Sequence, residues 1–124
     1  MKDLHFTYQD DSELWLQDVI ENHYEEALAR ASSLLAQTTE DENGCWVSAT
    51  ERRPKTRFRG RQVAVARFVY CIVNRAVLDR ATVIRHRCHN ERCCRPEHLV
   101  SGSVADNKRD DWDFWANGVD FDLL

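Results

Sequence analysis

Residues 85–110 read RHRCHNERCCRPEHLVSGSVADNKRD, and no other stretch limits the fold so tightly: three cysteines and three histidines crowd into the short span from His86 to His98. Cys88, Cys93 and His98 supply thiolate and imidazole donors of the kind zinc takes, and a tetrahedral site asks for a fourth donor from elsewhere. His86, two residues before the first of these cysteines, is then left free for other work. The residues alone leave one alternative open, a set of reduced cysteines that are merely buried.

A chain of 124 residues is enough for one domain with a modest core, a size that often borrows stability from a metal or a second subunit. The five cysteines are an odd number, and neither an apolar leader nor a spanning segment is evident in the sequence. A reduced, cytoplasmic setting is therefore expected, or a nuclear one in a eukaryotic host, with no membrane partner.

The formal net charge of −4 conceals a strong segregation. Residues 1–44 carry 2 basic and 11 acidic side chains, residues 45–110 carry 15 and 6, and residues 111–124 carry none and 4. Thirteen of the fifteen central cations are arginine, the residue that grips phosphate bidentately and never loses its charge. That block points to nucleic acid over an ordinary solvated surface.

Along the chain, Leu16, Ile20, Tyr24, Ala27, Leu28, Ala31, Leu34 and Leu35 recur at helical spacing and predict one amphipathic helix over 11–37, with Asp10 and Glu13 as a capping start. Residues 38–44 lack apolar content and are expected to form a loop. A basic hairpin should follow, with strands around Thr56–Arg59 and Gln62–Val65 and a turn at Gly60-Arg61. Residues 66–74 read as a buried helix, although their β-branched residues keep a strand open; Cys71 within it belongs to the core. Residues 82–85 read as a strand delivering His86 at its end, and 99–101 as its partner. Ser103 and Asp106 cap a last helix over 104–116, ended by Asn117-Gly118.

The order of strand ending in His, cysteine-rich loop, second strand and helix bearing Asn resembles the His-Me finger (ββα-metal) nucleases of the HNH superfamily. More narrowly, it resembles the zinc-stapled intron-encoded homing endonucleases and their phage relatives. The residues that carry the likeness are His86, Cys88, Cys93, Pro96, His98 and Leu99, followed by Asp106-Asn107, within a stretch from about Cys45 to Asp110. The fold it implies is α+β: a small zinc-stapled ββα-metal domain with a basic β-hairpin and an added N-terminal helix. The chain would be a single domain over 1–124, with an acidic helical extension (1–44), a zinc-bound nuclease core (45–110) and an acidic aromatic tail (111–124).

The resemblance assigns Cys45, Cys88, Cys93 and His98 to a structural Zn²⁺. Four protein ligands make a closed, non-catalytic site that can hold a segment too short to fold by burial alone. Adjacent residues of an extended loop point apart, so Cys93 and Cys94 do not both bind one ion; family spacing selects Cys93, and the reverse assignment stays open. His86 in place of His98 is the competing set. His89 has no family role and is expected to be exposed.

By the same likeness His86 is the general base, an imidazole able to take a proton from water near neutral pH, its other ring nitrogen held by a backbone carbonyl. Asn107 is the amide ligand of a catalytic divalent ion such as Mg²⁺, with helix capping as its alternative, and Asp106 orients one of the two or caps. The implied reaction is phosphodiester hydrolysis by one metal, leaving 5′-phosphate and 3′-hydroxyl ends. DNA contact falls to Arg52, Arg53, Lys55, Arg57, Arg59 and Arg61, on a ribbon able to enter a major groove. Arg61, Arg67 and Arg109 are candidates to steady the leaving group.

Two family positions differ here, with Ala66-Arg67 for His-Arg and Arg95-Pro96 for Asn-Pro. One such site cuts one strand, so double-strand cleavage calls for a homodimer, which the N-terminal helix and the tail with Trp112, Phe114, Trp115 and Phe121 could build. A catalytically inactive zinc-stabilised DNA-binding module is the alternative function.

Overall fold

The computed structural model describes residues 10–102; the expected helix over 104–116 with Asp106, Asn107 and Arg109, and the aromatic tail, lie outside the described residues. Within them the chain is α+β, with three helices and three two-stranded antiparallel sheets. Helix α1 (Asp11–Asn22) starts as expected, the Asp10 carboxylate accepting from the Glu13 amide at 2.8 Å. That carboxylate also accepts from the Arg80 amide at 2.8 Å, and these amides hold its pKa below the usual value, Arg80 foremost.

The expected single helix over 11–37 is two helices. Asn22 ends α1, His23 leaves helical geometry at φ −137°, and α2 (Tyr24–Ala36) follows. Asp18 binds the departing end through the Asn22 amide group and the His23 ring. The reason is tertiary. Val19 of α1 and Ala27 and Ala31 of α2 join one core around α3 (Val65–Asn74), and a straight rod of this length does not keep both halves against so short a helix. The break also lets the Tyr24 hydroxyl donate to the Ile72 carbonyl at 2.8 Å, near the end of α3.

Residues 66–74 are indeed helical, placing Val65, Phe68, Val69 and Ile72 on one buried face. Arg75 closes α3 in the left-handed region at φ +50°, and the Arg75 and Ala76 amides donate to the Ile72 and Cys71 carbonyls, a Schellman end. Phe58 and Phe68 pack at 5.3 Å between ring centroids, with Trp15 at 6.4 Å from each.

Strands β1 (Thr38–Glu40) and β2 (Trp46–Ser48) pair antiparallel. The expected loop over 38–44 is thus half strand: Thr38–Glu40 is too exposed to show apolar alternation, and its pairing with β2 is invisible in its own composition. The basic hairpin forms as expected from β3 (Lys55–Phe58) and β4 (Arg61–Ala64), burying Thr56 and Phe58 and exposing Lys55 and Arg57. Its turn sits one residue earlier than expected, at Arg59 and Gly60, both at positive φ (+46° and +85°), the geometry whose twist suits a two-residue hairpin. Finally β5 (Val83–His86) pairs with β6 (Leu99–Gly102), His86 opposite Leu99. Among the described residues no helix is long and apolar enough to cross a membrane.

Candidate metal centre and the histidine beside it

Four donors converge from three segments. Cys45 is presented by a tight turn in which the Asp41 carboxylate accepts from the Asn43 and Cys45 amides, both at 2.9 Å. Gly44 makes that turn at φ +80°, and a Cβ there would stand 3.4 Å from the Arg95 guanidinium. Cys88 follows β5, and Cys93 ends the loop, its amide donating to the Asn90 carbonyl at 3.0 Å. His98 closes a 3₁₀ turn (Pro96–His98) that Pro96 starts.

The ligand atoms of Cys45, Cys88, Cys93 and His98 all lie within 4.8 Å of one another. His98 Nδ1 is 3.5 Å from Cys93 Sγ and 3.7 Å from Cys45 Sγ. Metal bonds of about 2.3 Å to sulfur and 2.0 Å to nitrogen, meeting tetrahedrally, would separate such a pair by about 3.5 Å. The group can hold a metal ion such as zinc.

Its electrostatics ask for a cation. The Cys93 thiol is lowered to about 5, first by a hydrogen bond from Cys88 and then, against the effect of burial, by the Arg95 and Trp46 amides and the His98 ring. The Arg95 amide reaches Cys93 Sγ at 3.4 Å. Cys88 is pushed up, chiefly by that same bond to Cys93 and next by burial. Cys45 is pushed up chiefly by burial. One thiolate is therefore welcome here, and two more require a positive ion between them.

Cys94 lies outside the group. Its side chain is buried in the hydrophobic core with Phe58 and Phe68, and burial pushes it up to about 11. Its amide donates to the Trp46 carbonyl at 2.8 Å. Neighbours in an extended segment thus face opposite ways, Cys93 to the donor group and Cys94 to the core.

Arg95, which the sequence marks only as a departure from the pattern that the chain resembles, ties this site together. Its guanidinium donates to the Gly44 carbonyl at 2.9 Å, pairs with Glu97 at 3.1 Å and lies 4.9 Å over the Trp46 ring. No local pattern could have revealed this, because Gly44 is 51 residues away.

His86 ends β5 at the edge of this group. Burial lowers its pKa, while the Cys93 charge and a backbone hydrogen bond to Cys93 act the other way and Arg53 adds to the lowering. Its Nε2 is buried without a hydrogen-bond partner, a state shared among the described residues only by Trp15 Nε1. His89 is half-buried rather than exposed, at φ +59°, because the loop turns there and its amide donates to the His86 carbonyl at 2.9 Å.

Of the six basic residues, Arg52, Arg53, Lys55, Arg57 and Arg59 are exposed and Arg61 is half-buried. Arg52 and Arg53 both pair with Glu91, and Arg59 pairs with Glu26 at 3.1 Å. Arg57 donates to the Gly60 carbonyl at 3.3 Å across the hairpin turn. Arg67 spends its guanidinium on the Thr82 and Asp79 carbonyls, at 2.5 and 2.6 Å, bracing the segment that leads into β5.

No known protein family, curated protein or solved structure matches this chain. Its chemistry has to be read from its own side chains.

Proposed function

We propose that this chain is a metal-dependent DNA endonuclease of the HNH, ββα-metal kind, with a structural zinc at Cys45, Cys88, Cys93 and His98. The observation that carries the reading is the pairing of a four-donor group with His86, a strand-end histidine whose Nε2 has no partner. A closed zinc site has no open position for chemistry, so catalysis belongs to a residue beside it. His86 suits that part. Burial lowers its pKa, which keeps the ring neutral and able to accept a proton at pH 7, and the backbone hydrogen bond to Cys93 orients it.

In this scheme His86 takes a proton from a water that attacks the phosphate in line, leaving 5′-phosphate and 3′-hydroxyl ends. Asn107 would hold a divalent ion such as Mg²⁺, which would supply neutralisation of charge at the phosphate and the departing oxygen. The hairpin cations, Lys55 and Arg57 among them, hold the DNA backbone.

One observation favours a second reading, a zinc-stabilised DNA-binding module without activity: the His86 Nε2 is buried, whereas a working base must reach water. Supercoiled plasmid incubated with the protein separates the two. Nicked or linear product that appears with Mg²⁺ and not without it supports the nuclease; retarded but uncut plasmid supports the module.

A further inference from the structure

Glu91, in the loop between Cys88 and Cys93, is held by two guanidinium groups at once. Arg52 reaches its Oε2 at 2.8 Å and Arg53 binds its Oε1. Both arginines come from the irregular segment between β2 and β3, and they are strongly exposed, at 73% and 68% of the side chain, against 37% for Glu91. Two converging guanidiniums with one oxygen each are the arrangement that also binds the two free oxygens of a phosphodiester. Exposed ion pairs of this kind are weakly held and readily exchanged. The Arg53 charge also contributes to lowering the pKa of His86, the histidine that the nuclease reading places at the phosphate.

We propose that Glu91 fills, from within the chain, a phosphodiester-binding site formed by Arg52 and Arg53, and that a DNA backbone phosphate displaces it. The inference rests on the proposed DNA-binding function and goes beyond it by assigning Glu91 a masking role. In the DNA-free protein the carboxylate offsets one of the two positive charges and holds both guanidiniums in place; on binding, phosphate takes both and Glu91 turns to solvent. The competing role is a simple fastening of the 49–54 segment to the cysteine loop, in which case losing Glu91 would scatter the arginines and weaken binding.

The test is the affinity of the full chain for a 20-base-pair duplex in magnesium-free buffer at fixed salt, for wild type, Glu91→Gln, and Glu51→Gln. Glu51 is exposed next to Arg52, so its substitution changes the charge equally without unmasking the pair. Glu91→Gln is expected to tighten binding roughly 3- to 30-fold, the range that two exposed ion pairs can withhold, and Glu51→Gln less than about 2-fold. In an Arg52→Ala/Arg53→Ala background the Glu91→Gln gain should vanish. Zinc content of each variant verifies the fold. Equal gains from the two glutamate variants, weaker binding by Glu91→Gln, or a gain that persists without the arginines would overturn the inference. A second measurement needs no substitution: the arginine side-chain resonances of Arg52 and Arg53 should shift on saturation of the wild type with the duplex, and unmoved signals would also overturn it. Cleavage is scored separately. Masking without cleavage would sink the nuclease alone; cleavage without masking would sink only this inference; no DNA binding by any variant would sink both.

Discussion

Cys45 and His98 are 53 residues apart in sequence, yet the sulfur of one lies 3.7 Å from Nδ1 of the other. Neither is brought there by a long element of secondary structure. A five-residue turn delivers the first and a single 3₁₀ turn the second, and the hydrogen bonds and ring stacking of Arg95 join the two. So small a connection would gain most of its strength from an ion shared by all four donors, which this group can hold.

Zinc uptake should release about two protons per ion at pH 7. Cys93, lowered to about 5, is already a thiolate there, whereas Cys45 and Cys88 are pushed up and still hold their protons. Protons compete with the metal, so apparent affinity rises with pH, by about 100-fold per unit around neutrality. Calorimetry in buffers of different ionisation enthalpy measures the number; affinity independent of pH would contradict it.

Cys93→Ser should abolish tight zinc binding, and Cys94→Ser should leave it nearly intact. The second change instead places a hydroxyl in the core beside Phe58 and Phe68, at a cost of about 1–3 kcal/mol for burying a polar group whose nearest acceptor, the Arg92 carbonyl, stands 3.8 Å from the present sulfur. Metal analysis and urea denaturation of the two variants separate the effects. Zinc kept by the first and lost by the second would reverse the roles.

Gly44→Ala is expected to destabilise the holo-protein by about 1–2 kcal/mol, because a residue with a Cβ is strained at φ +80°. Arg95→Ala should loosen the same junction and raise the rate of zinc loss to a competing chelator. Chelator kinetics unchanged in both variants would show that the junction does not need them.

Phe68→Ala should cost about 3–5 kcal/mol, the usual penalty for emptying a fully buried aromatic site. Zinc removal should act elsewhere first, speeding amide exchange in β5 and β6 while α3 stays protected. Hydrogen exchange with and without metal reads this order directly, and simultaneous exposure of α3 would contradict it.

Sequence reading went furthest where the signal was local. The hairpin of β3 and β4 follows from short-range alternation and its turn residues, the buried helix α3 from a short apolar run and the pairing of β5 with β6 from two short strand-like runs, and His86 falls at a strand end as expected. Long-range geometry was not legible. The break at His23 exists because α1 and α2 must both cover α3, and Thr38–Glu40 becomes a strand only because Trp46–Ser48 lies beside it. Cys45 could be joined to the cluster only through a family likeness, since nothing in the spacing of 43 residues to Cys88 brings the two together. The clasp of Glu91 by Arg52 and Arg53 leaves no trace in composition or period.

The most direct test compares wild type with His86→Ala for zinc content, duplex binding and plasmid cleavage in Mg²⁺. Loss of cleavage by at least about 100-fold, the usual worth of a general base, with one zinc and near-normal DNA affinity retained, is the expected result. Undiminished cutting by His86→Ala, or a wild type that never cuts at all, would contradict it.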